Sequence, residues 1–407
     1  MSTHDNAPET LLITVTGTDR PGVTSAVLVT LASAGVTVLD VEQILMRGRL
    51  VLGVLVTAPR DVKKLRKAIT TTVEALGMAV EMERGSGDNR SRPSDRVHVT
   101  IIGTPLKASA MAAIAGRIAD LGGNIDRIER MARYPVTAIE LHVSGAAPDR
   151  LRTLLATEAA RNGIDVAVQP ANMLRHGVRL IVMDVDSTLI QGEVIEMLAE
   201  HAGYGAEVAE VTELAMRGDL DFEQSLRARV KLLAGLDASV LDEVYDAIVV
   251  NPGARTMVRT LRRLGYRFAI VSGGFSQITD RLAADLGIHR ARANTLEIID
   301  GKLTGEVVGQ VVDRAGKAQA LREFAADLGV PEAATIAIGD GANDLDMLDA
   351  AGLGIAYNAR PVVREAADTS LNVPYLDTIM YLLGISREEI VAADAEAGIV
   401  TPAPPLV

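Results

Sequence analysis

Ile181-Val182-Met183-Asp184-Val185-Asp186-Ser187-Thr188-Leu189-Ile190 decides how the chain is read, because a mainly apolar run from Val178 to Met183 passes there straight into a polar turn. The run has the length and β-branched content of a parallel strand buried on both faces. Asp184 and Asp186 then stand at its carboxyl end, the edge where open α/β sheets bind ligands. Two apart on an extended backbone, their side chains leave on one side, and a bend there would give them separate tasks. Carboxylates held that close attract a proton or a hard divalent cation. The plainer reading of this stretch alone is a strand end followed by an N-capping Asp-Ser-Thr turn.

Around this stretch lies a chain of 407 residues, room for about two to four domains. Hydrophobic residues make up 48% but aromatics only 3%, without Trp, so the cores must be built from Ala, Val, Leu and Ile. A net charge of -12 with no basic run argues against a nucleic-acid surface and for a small-molecule partner. The absence of Cys excludes disulfides, thiol nucleophiles and zinc-thiolate sites. The first ten residues lack the pattern of a signal peptide, and no apolar run is long enough to span a bilayer. The expectation is a cytoplasmic protein without membrane partners.

Upstream of residue 178 a βαββαβ pattern occurs twice, with a period of about 86 residues that carries Gly17 onto Gly103. The first copy spans 9–84 and the second 97–170, with the polar stretch 85–96 between them as a linker. In each copy a glycine stands between first strand and first helix. Glycine there permits close backbone approach, and a helix amino-terminus offers free N–H groups to a carboxylate. Asp19 could hold an ammonium group, whereas the second copy has Pro105-Leu106-Lys107 where the first has Asp19-Arg20-Pro21. These modules resemble tandem ACT domains of ferredoxin-like fold. The resemblance implies pairing of subunits as a homodimer or larger homo-oligomer, and an amino-acid effector near Gly17, Asp19 and Gly103, with serine the expected ligand.

Downstream, three further clusters follow Asp184 in order. A strand from Arg267 to Val271 ends in Ser272-Gly273-Gly274, Lys317 begins a helix, and a strand from Thr335 to Ile338 ends in Gly339-Asp340-Gly341-Ala342-Asn343-Asp344. Alone, each has a bland reading as a capped turn, a solvated lysine or an acidic loop. Together, Asp184-x-Asp186-x-Thr188, Ser272, Lys317 and Gly339-Asp340-x-x-x-Asp344 resemble the four ordered motifs of the haloacid dehalogenase-like phosphotransfer superfamily, across residues 178 to about 375. That resemblance implies an α/β fold with a Rossmann-like parallel sheet and an aspartyl-phosphate mechanism. Asp184 would be nucleophile and Asp186 general acid and base. Magnesium would be held by the Asp184 and Asp340 side chains and the Asp186 carbonyl. Ser272, Gly273, Gly274, Lys317 and Asn343 would bind phosphate, and Asp344 would orient a metal-bound water.

Between the first two motifs, residues 193–250 read as a small helical cap. Its stretch from Met216 to Arg229 resembles the corresponding part of the phosphoserine phosphatase family. By that resemblance Glu193 takes the substrate ammonium group, Arg229 its carboxylate, and Met216 and Phe222 exclude water. The expected substrate is O-phosphoserine and the product serine. Phosphothreonine, phosphohomoserine or a catalytically dead amino-acid sensor are the alternatives. The domain spans 178–385, and 386–407 reads as a helix and Pro-rich tail without chemical content. The six histidines, His4, His98, His142, His176, His201 and His289, fall outside every motif, and no histidine metal site is expected.

Overall fold

A computed structural model describes residues 9–86, 96–172, 177, 179–217 and 220–402, with the side chains of 215–217 left out. The chain divides into two units, residues 1–92 and 93–407. The first contains β1 (Glu9–Thr18), α1 (Val23–Ser33), β2 (Val38–Met46), β3 (Arg49–Thr57), α2 (Val62–Ala75) and β4 (Ala79–Ser86). Its antiparallel sheet runs β2-β3-β1-β4. Alternation sends Leu11, Ile13 and Val15 of β1 and Leu52, Val54 and Val56 of β3 to one face, where Val27, Leu31, Leu65 and Ile69 of the helices cover them.

The second unit opens with β5 (Arg96–Gly103), α3 (Ala108–Asp120), β6 (Asn124–Ala132), β7 (Thr137–Ser144), α4 (Pro148–Asn162) and β8 (Asp165–Pro170). This sheet has the same order, β6-β7-β5-β8. Val97, Val99, Ile101, Leu141 and Val143 face the two helices. Ile102, Ala138 and Ala167, on the opposite face, join the core of the domain that follows. Polar ties fix that junction: Gln169 Nε2 donates to the Leu382 carbonyl at 2.7 Å, and Asp165 accepts from the Asn372 N–H and Nδ2 at 2.8 and 2.7 Å.

The large domain is built from β9 (Leu180–Met183), then the cap helices α5 (Val194–Ala202), α6 (Gly205–Arg217), α7 (Phe222–Lys231) and α8 (Val240–Ala247). The fold continues through α9 (Ala254–Arg263), β10 (Arg267–Phe275), α10 (Ser276–Leu286), β11 (Arg290–Ile299), β12 (Lys302–Val308), α11 (Arg314–Asp327) and β13 (Thr335–Gly339). It closes with α12 (Leu345–Ala350), β14 (Leu353–Tyr357), α13 (Pro361–Ala366), β15 (Thr369–Leu371), α14 (Ile379–Leu382) and α15 (Arg387–Glu396). The sheet order is β12-β11-β10-β9-β13-β14-β15, parallel except for β12, which pairs antiparallel with β11. Asp300 and Gly301 turn that hairpin with φ of 51° and 75°, the positive values a two-residue turn requires. From β9 the chain passes to β10 on one side and later to β13 on the other, which makes the carboxyl end of β9 the switch point where such sheets bind ligands. Leu180 and Val182 fill the core on one face of β9, and Ile181 and Met183 the core on the other.

Two expectations need correction here. Residues 387–396 are not a chemically silent tail: Asp394 of α15 is fully buried and accepts from Arg259 Nε and Nη2 at 3.0 and 2.6 Å and from Arg263 Nη1 at 2.8 Å, which docks α15 on α9. Nor are all the histidines scattered in space. His98 of β5 and His142 of β7 are direct cross-strand partners with ring centroids 4.6 Å apart. Among the described residues no helix is long and apolar enough to cross a membrane.

The Asp394 clasp has a measurable consequence. Asp394→Ala leaves two half-exposed guanidinium groups without their acceptor and is expected to lower unfolding free energy by about 1–3 kcal/mol in urea denaturation, less than for a fully buried pair. Unchanged stability would show that the clasp contributes nothing.

Candidate active site

The turn after β9 is shaped by its own backbone. The Val185 carbonyl accepts from Leu189 and Ile190 N–H at 2.9 and 3.0 Å, and Ser187 sits at φ 58°, left-handed geometry that is unusual for a serine. The reversal separates the two aspartates. Asp184 stays in line with the strand, its N–H on the Ile338 carbonyl of β13 at 2.9 Å, and its Oδ1 accepts the Val185 N–H at 2.8 Å. Asp186 turns away, and its carboxylate accepts from the Val194 N–H at the start of α5 (2.9 Å) and from the Ser272 hydroxyl (2.8 Å).

Lys317, in the first turns of α11, is wholly buried. Its Nζ lies 2.7 Å from Asp184 Oδ1 and 2.7 Å from Asp344 Oδ1. The other oxygen of Asp344 accepts the Gly341 and Asp340 N–H groups at 3.0 and 3.2 Å. Both oxygens of Asp344 thus help to hold the lysine and the turn after β13. Gly339 has to be glycine, since a Cβ there would lie 2.5 Å from Asp344 Cγ. Asp340 Oδ1 receives the Thr188 hydroxyl at 2.7 Å, and the Thr188 carbonyl is held by Asn251 Nδ2 at 2.7 Å.

The carboxylates of Asp184, Asp340 and Asp344 each bring an oxygen within 4.8 Å of the others. Among the described residues Lys317 is the cation packed among them and Asp186, so the described group carries excess negative charge. Burial, then the neighbouring Asp344 and Asp186, push Asp184 well above the usual carboxylate range, with Lys317 opposing; Asp340 is pushed up to about 6, mainly by burial. An all-oxygen donor set with surplus negative charge fits a hard divalent ion such as magnesium.

A cavity of about 580 Å³ opens over these groups toward the cap. Ser272, fully buried, also accepts the Gly274 N–H at 2.7 Å, and a side chain on Gly274 would strike Asp186 Oδ2 at 2.9 Å. The Phe222 ring comes down on Gly273, where a Cβ would lie 2.9 Å from its Cζ. Asp221 and Gln224 cap α7 reciprocally, which fixes how Phe222, Ser225 and Arg229 enter the cavity. Glu193 precedes α5, accepts the Ser187 hydroxyl at 2.9 Å, and is pushed up to about 7 by burial and then by Asp186. Burial pulls the Arg229 guanidinium down from its ordinary value, against Glu193, Glu196 and Asp186, which raise it. Asn343 lines the cavity as well. Met216 lies in α6, but its side chain falls outside the described residues.

Sequence reasoning missed Arg314 and Arg360 at the cavity wall, because isolated arginines carry no motif; Arg314 is tied to Asp346 with Nε 2.6 Å from Oδ1. It also missed the roles of Ser187 and Asn251, visible only once the turn is formed. The residues expected from sequence to meet an effector belong to the two amino-terminal modules. Gly17 packs on Met78, with 2.7 Å from its absent Cβ position to Met78 Cγ, and Gly103 packs on Leu106. Asp19 is exposed, its N–H on the Gly48 carbonyl.

Comparison with known proteins follows the same division of the chain. Residues 181–349 match the haloacid dehalogenase-like hydrolase family, and residues 9–83 and 96–169 each match an ACT domain family. The chain is 60% identical over 390 residues to a phosphoserine phosphatase of Streptomyces coelicolor, covering 95% of both chains. It is 52% identical to a phosphoserine phosphatase of Mycobacterium tuberculosis, covering 96% of both. Among solved structures, a haloacid dehalogenase family hydrolase from Salmonella enterica aligns with a TM-score of 0.63 at 29% identity, over 70% of this chain and 98% of that one. A probable phosphoserine phosphatase from Vibrio cholerae aligns at 0.57 and 34% identity, over 74% and 88%. The chain belongs to the phosphoserine phosphatases of the haloacid dehalogenase-like superfamily that carry tandem amino-terminal ACT domains.

Proposed function

We propose that the chain hydrolyses O-phosphoserine to serine and phosphate through an aspartyl phosphate on Asp184, as the last step of serine biosynthesis. The observation that carries this reading is one cavity lined at one end by Asp184, Asp186, Gly273, Gly274 and Asn343, with Ser272 and Lys317 buried against those aspartates, and at the other by Glu193 and Arg229. Asp184 Oδ1 is engaged by Val185 and Lys317, which leaves Oδ2 to attack phosphorus in line and displace the seryl oxygen. Asp186, steadied by Val194 and Ser272, passes its proton to the departing alkoxide and then takes one from the water that cleaves the intermediate. Ser272, Lys317, Asn343 and the Gly273 and Gly274 N–H groups hold the non-bridging oxygens. Magnesium, held by Asp184, Asp340 and the Asp186 carbonyl, would neutralise charge between nucleophile and phosphate. Glu193 accepts the substrate ammonium, Arg229 clamps its carboxylate, and Phe222 closes the cavity to water. In this reading the ACT modules join subunits into a cytoplasmic homodimer or larger assembly and sense serine through Asp19 and the helix amino-terminus after Gly17.

Two substitutions separate chemistry from recognition. Asp184→Asn is expected to abolish phosphate release from every ester in magnesium while the protein stays folded. Arg229→Ala should cost about 10- to 100-fold in kcat/KM for O-phosphoserine and much less for p-nitrophenyl phosphate, which has no carboxylate to clamp. Equal losses on both esters would remove Arg229 from substrate recognition.

Glu193 gives a pH test. Its folded-state pKa of about 7 lies above the ordinary 4.5, so the fold favours the protonated form and stability contributed by this group falls as pH rises from about 4.5 to 7. Without substrate at pH 8, Glu193→Gln should therefore be more stable than the parent by about 1–3 kcal/mol, yet bind O-phosphoserine more weakly. A variant less stable at pH 8 would refute the cost assigned to the buried carboxylate. For the sensor role, phosphate release measured across a serine titration should change in the full chain and lose that response in Asp19→Ala; a response identical in both would refute the assignment to Asp19.

A further inference from the structure

The second ACT module contains a cluster that the phosphatase reaction does not use. His98, Glu140 and His142 lie on the face of its sheet that also carries Ile102 and Ala138 into the core of the large domain. His98 Nδ1 is 3.0 Å from Glu140 Oε1, and His142 Nε2 is 3.4 Å from that oxygen and 3.8 Å from Glu129 Oε2. Glu140 is only 3% exposed, and one ligand atom from each of the three residues falls within 4.8 Å of the others. We propose that His98, Glu140 and His142, with Glu129 as a fourth donor, form a binding site for a borderline divalent transition metal of the zinc class.

Two features of the metal-free arrangement point the same way. His142 Nε2 is buried and makes no hydrogen bond, although carboxylate oxygens of Glu140 and Glu129 stand 3.4 and 3.8 Å from it. Glu129 of β6 and Glu140 of β7 are direct cross-strand partners, which brings both carboxylates to the same imidazole nitrogen of His142. Arg127 reaches Glu129 Oε1 at 2.7 Å. Neutral imidazole is the form that binds metal. Ligand atoms bound tetrahedrally at about 2.0–2.2 Å lie roughly 3.3–3.6 Å apart, close to the separations already present. Two imidazoles and two carboxylates suit zinc or cobalt better than magnesium, which separates this site by chemistry from the all-oxygen group at Asp184. A metal here would tie β5, β6 and β7 together beside the junction with the large domain.

The test uses the full chain, stripped with a chelator and returned to excess magnesium so that the acidic catalytic group is occupied. Zinc chloride is titrated in and retained metal is counted by elemental mass spectrometry after desalting; cobalt chloride in a parallel sample reports geometry by its visible spectrum. The expected result is a single retained zinc per chain and a tetrahedral cobalt spectrum. His142→Ala and the isosteric Glu140→Gln should weaken zinc by more than the roughly 10- to 100-fold that loss of a supporting hydrogen bond costs. Both should still hydrolyse phosphate esters in magnesium, which verifies folding, and Asp340→Asn should retain the zinc. No retained zinc in the parent chain, or equal retention in parent and Glu140→Gln, would overturn the site.

Discussion

A lysine buried to zero exposure between two carboxylates is the constraint on which the rest of this molecule depends. Lys317 cannot keep its charge inside a core unless oxygens surround it, since the effective penalty for burying an ion is several kcal/mol. Asp184 and Asp344 supply them, each at 2.7 Å. That requirement draws together three distant segments: the end of β9, the first turns of α11 and the turn after β13. It also explains local choices. Gly339 leaves room for the Asp344 carboxylate, and the Gly341 and Asp340 N–H groups hold it.

The same arrangement leaves the site with more negative charge than one lysine balances. Four carboxylates, those of Asp184, Asp186, Asp340 and Asp344, share a pocket walled by low-dielectric core, and Asp184 and Asp340 are pushed upward in consequence. The site is poised for a divalent cation and a phosphate, whose charges complement each other and the carboxylates. Further out the cavity carries Glu193 and then Arg229. Under the proposed reading these two would complement the ammonium and carboxylate of an amino acid, while the sheet edge would hold phosphate.

Much of this was legible in sequence because it is local. The strand into Asp184, the four cap helices with their 3.6-residue period, and the Asp300-Gly301 hairpin each carry their signal within a dozen residues. The order of the clusters at Asp184, Ser272, Lys317 and Asp340 pointed to one sheet edge. What stayed hidden is set by register and long-range docking. Arg259 and Asp394 are far apart in sequence, and nothing local announces that α15 buries a carboxylate. His98 and His142 become neighbours only through the pairing of β5 with β7. The hold of Asp344 on Lys317 and on the backbone of the turn likewise appears only once β9, α11 and β13 are brought together. At Gly17 and Gly103 the sequence shows the glycine but not the close packing of Met78 and Leu106 on it.

The central claim is that Asp184 forms a covalent bond to phosphorus. Rapid acid quench of the magnesium-loaded enzyme during turnover of O-phosphoserine, followed by peptide mass spectrometry, tests it most directly. The account predicts a phosphoryl group on the peptide containing Asp184, formed and lost no more slowly than steady-state turnover. Phosphate release with no phosphoenzyme at any quench time, or phosphorylation at a residue other than Asp184, would contradict it.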